Sequence, residues 1–187
     1  MKRNDFFALL CLIISFLTNA QVANAPCNNY SEWTSNTYSM SVVSQTGLFG
    51  DSWSNKNNLI DGNTGNAASW SAILLGSSWI EARNASGSVF PAGSYAGFVV
   101  GDLDLVSLGA SMKVATYNGT TKQEEVNFSS LVGTILDGGG KRKVGFVTTK
   151  AFNRIRLTVN AGLTLVFTAN AYYAEVVKPC AGAALAC

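Results

Sequence analysis

Short runs of β-branched and aromatic residues, several of them alternating with polar residues, recur along the chain from residue 39 to residue 177. A period of two places successive side chains on opposite faces of a strand, whereas stripes at helical spacing are not found in the sequence. The pattern therefore predicts strands, bounded by Gly and Asn, over residues 39–44, 79–83, 97–100, 112–117, 143–149, 154–159 and 163–177.

One hairpin is marked by the pair Asn118-Gly119. Both residues tolerate the positive φ of a type I′ turn, so the pair predicts a two-residue loop with a return strand over residues 120–128. About eight short strands separated by turn residues are typical of an all-β sandwich or jelly roll. We therefore predict an all-β, jelly-roll β-sandwich.

The composition limits what such a domain can do. The 187 residues, 48% of them hydrophobic, suit one domain with a core of its own. Lysine and arginine number 13 against 11 aspartates and glutamates, and the formal charge of +2 is spread along the chain, which does not indicate a nucleic-acid partner. The sequence contains no histidine. Catalytic triads and zinc sites that need an imidazole are therefore excluded.

The N-terminal segment has the features of a secretory signal peptide. Lys2 and Arg3 precede an apolar run at residues 6–17, and Thr18-Asn19-Ala20 supplies a small-residue cleavage pattern. A membrane anchor is the alternative, but the run is shorter than the roughly 20 residues that a spanning helix needs. We predict an extracellular or cell-surface protein whose mature chain has no membrane span. The predicted organisation is a signal peptide at 1–20, a β-sandwich domain at 21–180 and a C-terminal tail at 181–187.

Three cysteines remain after the leader: Cys27, Cys180 and Cys187. In an oxidising compartment an odd number suggests a free thiol or a missing partner. A Cys27–Cys180 disulfide would tie the two ends of the domain together, and in the chain-entropy model so long a loop contributes about 4–5 kcal/mol. A Cys180–Cys187 disulfide with Cys27 free is the alternative.

An oxygen-rich turn, NNLIDGNTGNAASW at residues 57–70, lies between an apolar pair and a tryptophan. It resembles the N-L-x-D-G-[DN]-x-x-T-x-W opening of discoidin-type, galactose-binding-like jelly rolls. SWIEA at residues 78–82 is similar to the W-I-x-[VI]-D-L-G strand of that family, and FNRIRLTV at residues 152–159 is similar to its A-R-Y-[VI]-R-[LI] strand. Ala68 and Arg83 depart from the family pattern.

This resemblance implies a structural calcium ion at the turn, because calcium prefers several carboxylate, amide and carbonyl oxygens at about 2.3–2.6 Å. By the same resemblance, the ligands would be Asp61, Asn63, Thr64 and Glu175. The alternative is a polar β-turn in which Asp61 and Asn63 satisfy their own backbone, since one carboxylate in the loop is few for tight binding. The Cys27–Cys180 pair also matches the disulfide that many members place between their ends.

Aromatic side chains are candidates for binding sugars, because their apolar faces stack on the C–H surfaces of pyranose rings. Trp70 and Trp79 are flanked by apolar residues and match core positions of the family, so we assign both to the core. The candidates for loop-borne ligand contacts, which lie beside Ser, Asn and Gly, are Trp33, Trp53, Tyr95 and Tyr117.

Two pairs of charged residues are spaced so that each pair shares a strand face. Arg154 and Arg156 are candidates for gripping an acidic sugar through bidentate bonds, and an outward polar face is the alternative. Asp102 and Asp104 have a spacing that would suit acid–base chemistry, but we assign them to a solvated face. The basic run at residues 141–143 is predicted to be a solvated loop.

These features favour a secreted, noncatalytic binding or adhesion module that binds carbohydrate or another cell-surface ligand. No nucleophile motif is present, so we do not predict an enzyme. A structural spacer domain of a larger surface protein is one alternative, and a glycoside hydrolase with two carboxylates across a cleft is another. The leader, the small-residue C-terminal stretch and the Asn/Ser/Thr-rich composition also look like the start of the large surface adhesins secreted by gliding bacteria. On that resemblance the chain is expected to be the first module of a longer protein.

Overall fold

Alternating burial along the strands explains why these segments form a sandwich. In the strand Arg154–Asn160, Ile155, Leu157 and Val159 are buried, whereas the arginines and the threonine between them are partly exposed. A strand with this pattern is stable only when its apolar face packs against a second layer.

The computed structural model describes residues 30–32, 40–45, 52–72, 76–84, 86–101, 111–128, 134–135, 140–162 and 167–178. A short 3-10 helix covers Lys56–Leu59. None of the helices in these ranges has the length and apolar character needed to cross a bilayer. The strands are Tyr30–Glu32 (β1), Met40–Ser44 (β2), Ala68–Ala72 (β3), Ser77–Asn84 (β4), Tyr95–Gly101 (β5), Ser111–Asn118 (β6), Thr121–Phe128 (β7), Thr134–Ile135 (β8), Arg142–Val147 (β9), Arg154–Asn160 (β10) and Phe167–Val177 (β11).

The strands form two antiparallel sheets. In the first sheet the order is β1-β11-β5-β9-β8, and β3 also pairs with β11. The long strand β11 therefore has β1 and β3 along one edge and β5 along the other. In the second sheet the order is β2-β4-β10-β6-β7, which places β10 at the centre between β4 and β6.

The core lies between the two sheets and is made of one face of each. Strand β5 contributes Phe98 and Val100, strand β10 contributes Ile155 and Leu157, and Trp70 of β3 is completely buried. This arrangement confirms the predicted all-β, jelly-roll β-sandwich, and it leaves the other face of the second sheet available to carry polar side chains.

The predicted hairpin forms, but its turn differs from the prediction. Asn118 pairs with Thr121, so the two-residue loop is Gly119-Thr120 rather than Asn118-Gly119. Gly119 has a φ of 60°, whereas Thr120 does not have a positive φ. A glycine with positive φ at the first central position is the signature of a type II′ turn, so the prediction of type I′ is wrong by one residue.

The basic run at residues 141–143 is not the solvated loop that the sequence predicts. Strand β9 begins at Arg142, and the ammonium of Lys143 lies 2.6 Å from the carboxylate of Glu175 on β11. Glu175 is fully buried, and burying a carboxylate is costly unless a cation compensates it. The partner of Lys143 lies 32 residues away in the sequence, so no local pattern could have indicated it.

Candidate functional site

The outward face of the second sheet gathers aromatic and charged side chains. Ile80 and Ala82 of β4 and Ile155 and Leu157 of β10 point into the core. Their neighbours in the sequence therefore point away from it, because side chains alternate along a strand. We call this surface the arginine face; its central residues are Trp79, Glu81, Arg83, Tyr117, Arg154 and Arg156.

A buried carboxylate organises the arginine face. Glu81 has no exposed surface, although it lies on the outward side of the sheet. Its Oε1 accepts a hydrogen bond from Nε of Arg83, and its Oε2 lies 2.6 Å from Nη2 of Arg156 and 2.8 Å from Nε of the same residue. Nη1 of Arg154 approaches Oε1 to 3.9 Å. One carboxylate is thus shared by three guanidinium groups.

Arg156 is held between two aromatic rings. Its guanidinium carbon lies 3.9 Å from the ring centroid of Trp79 and 4.5 Å from that of Tyr117. A guanidinium over an aromatic face gains roughly 0.5–1 kcal/mol at an exposed site and more when desolvated. Because Glu81 also holds this side chain on two nitrogens, Arg156 is fixed at the centre of the face.

Strands β6 and β7 extend the arginine face with a second group of charges. Glu125 lies 3.7 Å from the ammonium of Lys113 and 3.1 Å from that of Lys122. These side chains are between 30% and 52% exposed, so the pairs contribute little to stability. They do add positive charge to the face.

The structure brings three of the six predicted ligand-binding residues together. Tyr117, Arg154 and Arg156 lie on the arginine face, where Tyr117 and Arg154 are directly opposite each other on neighbouring strands. Tyr95 lies on the outward side of the first sheet, where its hydroxyl covers the paired glycines Gly97 and Gly145. It therefore belongs to the opposite surface of the sandwich. Trp33 lies outside the described residues. A ligand role for these residues stays a prediction.

Trp53 is a core residue, which corrects its assignment as a loop-borne ligand contact. Its side chain is 2% exposed and stacks on Trp70 with ring centroids 6.3 Å apart. The reason is that the neighbouring Ser54 exchanges two backbone hydrogen bonds with Ser69 of β3, which carries the segment along the edge of the first sheet. Polar neighbours in the sequence therefore did not indicate an exposed ring.

Trp79 is predicted to lie in the core, but its side chain is partly exposed on the arginine face and does not belong to the core cluster. Glu81 and Arg83 are not among the residues predicted from the sequence to bind a ligand. A signal for them was present, since Trp79, Glu81 and Arg83 are spaced two apart and alternate with Ile80 and Ala82. Strand parity alone assigns all three to the same face.

The oxygen-rich turn satisfies its own backbone. Oδ1 of Asp61 accepts a hydrogen bond from the amide of Asn63 at 2.8 Å, and its Oδ2 accepts one from Nδ2 of Asn66 at 2.8 Å. Oδ1 of Asn63 accepts one from the amide of Gly65 at 2.9 Å. These are Asx-type contacts, the bonding expected of a polar β-turn.

The other predicted calcium ligands are also engaged, each with a lysine. The carbonyl of Thr64 accepts a hydrogen bond from the ammonium of Lys141 at 2.8 Å, and Oε1 of Glu175 accepts one from Lys143 at 2.6 Å. Among the described residues, no three acidic, cysteine or histidine side chains group closely enough to hold a metal. As arranged, this donor set does not fit a calcium cage, because an ion would displace Lys141 and the bonds within the turn. A calcium ion at this site stays a prediction.

Replacing Asp61 with alanine tests which role this residue has. With a chelator present, we expect the variant to lose about 1 kcal/mol of stability in urea unfolding, because two exposed hydrogen bonds of the turn disappear. Asn66→Ala, which removes only the side-chain partner of Asp61, should lose less. A loss that appears only after calcium is added would contradict this expectation and support the calcium ion instead.

Several predictions fall outside the described residues. These are the signal peptide at residues 1–20, the acidic pair Asp102 and Asp104, and the disulfide between Cys27 and Cys180 with its alternative to Cys187. All of them stay predictions.

Comparison with known proteins finds similarity in structure but not in sequence. No protein-family model matches the chain, and no curated protein matches it. The lectin domain of lectinolysin, solved in complex with Lewis B antigen, matches with a TM-score of 0.51 at 15% identity, covering 80% of this chain and 100% of that domain. A histidine mutant of the same domain, complexed with Lewis b, matches with a TM-score of 0.50 at 14% identity and covers 76% of this chain and 94% of that one.

A fucose-binding module from Streptococcus pneumoniae matches with a TM-score of 0.48 at 16% identity, covering 81% of this chain and 98% of the module. At such low sequence identity, the likeness to the two lectinolysin structures concerns the fold. The chain has the jelly-roll β-sandwich fold of that lectin domain.

Proposed function

We propose that this protein is a noncatalytic carbohydrate-binding module that acts outside the cell. The observation that carries the proposal is the arginine face, where Trp79 and Tyr117 flank a guanidinium fixed by the buried Glu81. Aromatic surfaces that stack on sugar C–H groups, next to preorganised N–H donors for hydroxyl oxygens, are the elements of a sugar-binding surface.

The state of the carboxylates on this face supports binding rather than catalysis. A glycoside hydrolase uses two carboxyl groups that face each other across the substrate, one of which carries a proton. Here both oxygens of Glu81 are occupied by arginines, and Glu125 is paired with two lysines. With their oxygens occupied in this way, the two carboxylates are not arranged as a pair that faces a substrate from both sides.

The structural likeness supports the same class of ligand. The lectinolysin domain that shares this fold was solved in complex with Lewis B antigen. A fold alone does not determine a function, so this likeness adds to the argument from the arginine face without replacing it. The proposed extracellular location is based on the signal-like residues 1–20. The proposal that the chain belongs to a larger adhesin is based only on its leader, its C-terminal stretch and its composition.

A glycan array with the purified full-length chain tests the proposal. We expect binding to at least one class of glycan, and a loss of that binding in Trp79→Ala and Tyr117→Ala, because each variant removes one ring beside Arg156. Val147→Ala is the matched control, since Val147 is 65% exposed on the first sheet. If no glycan binds at millimolar concentration, the proposal is wrong and the structural-spacer alternative replaces it.

A further inference from the structure

Two arginines face each other at the centre of the arginine face. Arg83 on β4 and Arg154 on β10 are direct cross-strand partners, and Tyr117 on β6 is the next residue in the same row. Side chains in such positions start about 5 Å apart, and like charges placed there repel each other. Nearby negative charge is required to hold this pair in place.

The protein supplies less negative charge than the arginines require. Glu81 contributes one carboxylate to three guanidinium groups within 4 Å, so the cluster retains two positive charges. Arg156 is already engaged within the protein, because two of its nitrogens contact Glu81 and its guanidinium lies between two rings.

The other two arginines retain unused donors. Arg83 uses only its Nε on Glu81, and Arg154 makes only the 3.9 Å approach to the same carboxylate. Within the described part of the chain, the Nη groups of Arg83 and Arg154 make no hydrogen bond. Their side chains are 29% and 25% exposed, so these donors are accessible from solution.

The surrounding charges have the same sign. Lys113 and Lys122 against Glu125 add another net positive charge. The whole face therefore has five cations against two carboxylates, a formal excess of three, whereas the entire chain has a net charge of only +2. Concentrating charge of one sign on one surface attracts ligands of the opposite sign.

We infer that the arginine face binds acidic glycans, and that Arg83 and Arg154 together bind a carboxylate or sulfate group of the sugar. Guanidinium groups bind such anions through paired, charge-assisted N–H bonds. The anion supplies the charge that Glu81 does not, while Tyr117 beside Arg154 offers a ring to the same sugar unit. Arg156 is not part of this anion site, because two of its nitrogens contact Glu81 and its guanidinium lies between two rings. This inference rests on the proposed function.

Matched pairs of polymers test the inference by titration calorimetry. Polygalacturonate is compared with its methyl ester, and dextran sulfate with dextran, so that each pair differs only in its anionic group. We expect the acidic member of at least one pair to bind at least tenfold more tightly than its neutral partner, and the two acidic polymers separate carboxylate from sulfate recognition. Equal binding within both pairs overturns the inference but leaves the proposed function standing. No binding to any glycan overturns both.

Charge-matched variants separate a specific site from a general attraction. Arg83→Gln/Arg154→Gln should weaken binding of the acidic polymer about tenfold or more. Lys56→Gln/Lys141→Gln removes the same charge elsewhere, since Lys141 contacts Thr64 in the oxygen-rich turn, and should leave binding nearly unchanged. Arg83→Lys/Arg154→Lys keeps the charge and tests the fold and the geometry, because lysine cannot form the paired bonds. Full affinity in this lysine variant overturns the two-arginine site. Single-stranded DNA is the remaining probe: binding as tight as that of the acidic glycan would show attraction by charge alone and overturn the glycan assignment.

Discussion

Replacing Trp53 with alanine is expected to lower the free energy of unfolding by about 3–5 kcal/mol, the usual cost of truncating a buried tryptophan. Trp53 is 2% exposed and stacks on the fully buried Trp70, so the variant leaves a large cavity beside a ring that loses its neighbour. Urea unfolding monitored by circular dichroism measures the loss.

Two further variants make this prediction specific. Trp53→Phe keeps a ring in place and removes an indole N–H that has no hydrogen-bond partner among the described residues, so it should cost less than alanine. Trp79→Ala, on the arginine face, should cost at most about 2 kcal/mol, because that ring is partly exposed. If Trp53→Ala keeps native stability but loses glycan binding, Trp53 is a ligand contact after all and the core assignment is wrong.

Replacing Glu81 with glutamine is expected to cost about 3 kcal/mol of stability, which is the lower end of the usual loss when one partner of a buried ion pair is removed. Glutamine has nearly the same shape, but it leaves three guanidinium groups without a counter-ion. The lower end applies because the arginine side chains are 24–29% exposed, so water compensates part of the charge. Urea unfolding at low salt gives the value.

Glu125→Gln is the matched control for Glu81→Gln. It removes the same charge from the same face, but Glu125 is 30% exposed and its pairs with Lys113 and Lys122 are at the surface, so the loss should stay below about 1 kcal/mol. Added salt should recover part of the stability of Glu81→Gln by screening the repulsion among the arginines. Equal losses in the two variants would show that Glu81 does not organise the face.

The sequence predicted the strands well because strand formation depends on local alternation. Each strand predicted from the pattern overlaps an observed strand, and residues 154–159 agree with β10 to within one residue. Strands β1, β3 and β8 are not among the predicted strands. In the case of β3 the reason is that Ala68–Ala72 has no β-branched residue and only one aromatic residue. It forms because β11 offers it an edge with hydrogen-bonding groups to pair, which is a property of the fold and not of the segment.

The candidate site was predicted less completely, because exposure depends on contacts between distant segments. The pairing of Ser54 with Ser69 decides that Trp53 is buried. The arginine face, in contrast, could be predicted in part from the sequence. Strand alternation places Arg154 and Arg156 on one face, and the same rule applied to β4 adds Glu81 and Arg83. The convergence of these side chains on one carboxylate follows only from the β4–β10 register.

The position of β11 also determines when this chain can fold. Strands β1, β3 and β5 all pair with β11, so the first sheet can be completed only after residues 167–177 have been synthesised. Pairing between strands so distant in sequence is slow, because the loop-closure entropy is lost before the contacts form. A chain shortened before residue 167 would expose the free edges of β3 and β5, which are templates for aggregation. The first sheet is therefore expected to be completed later than the second, whose five strands all precede β11 in the sequence.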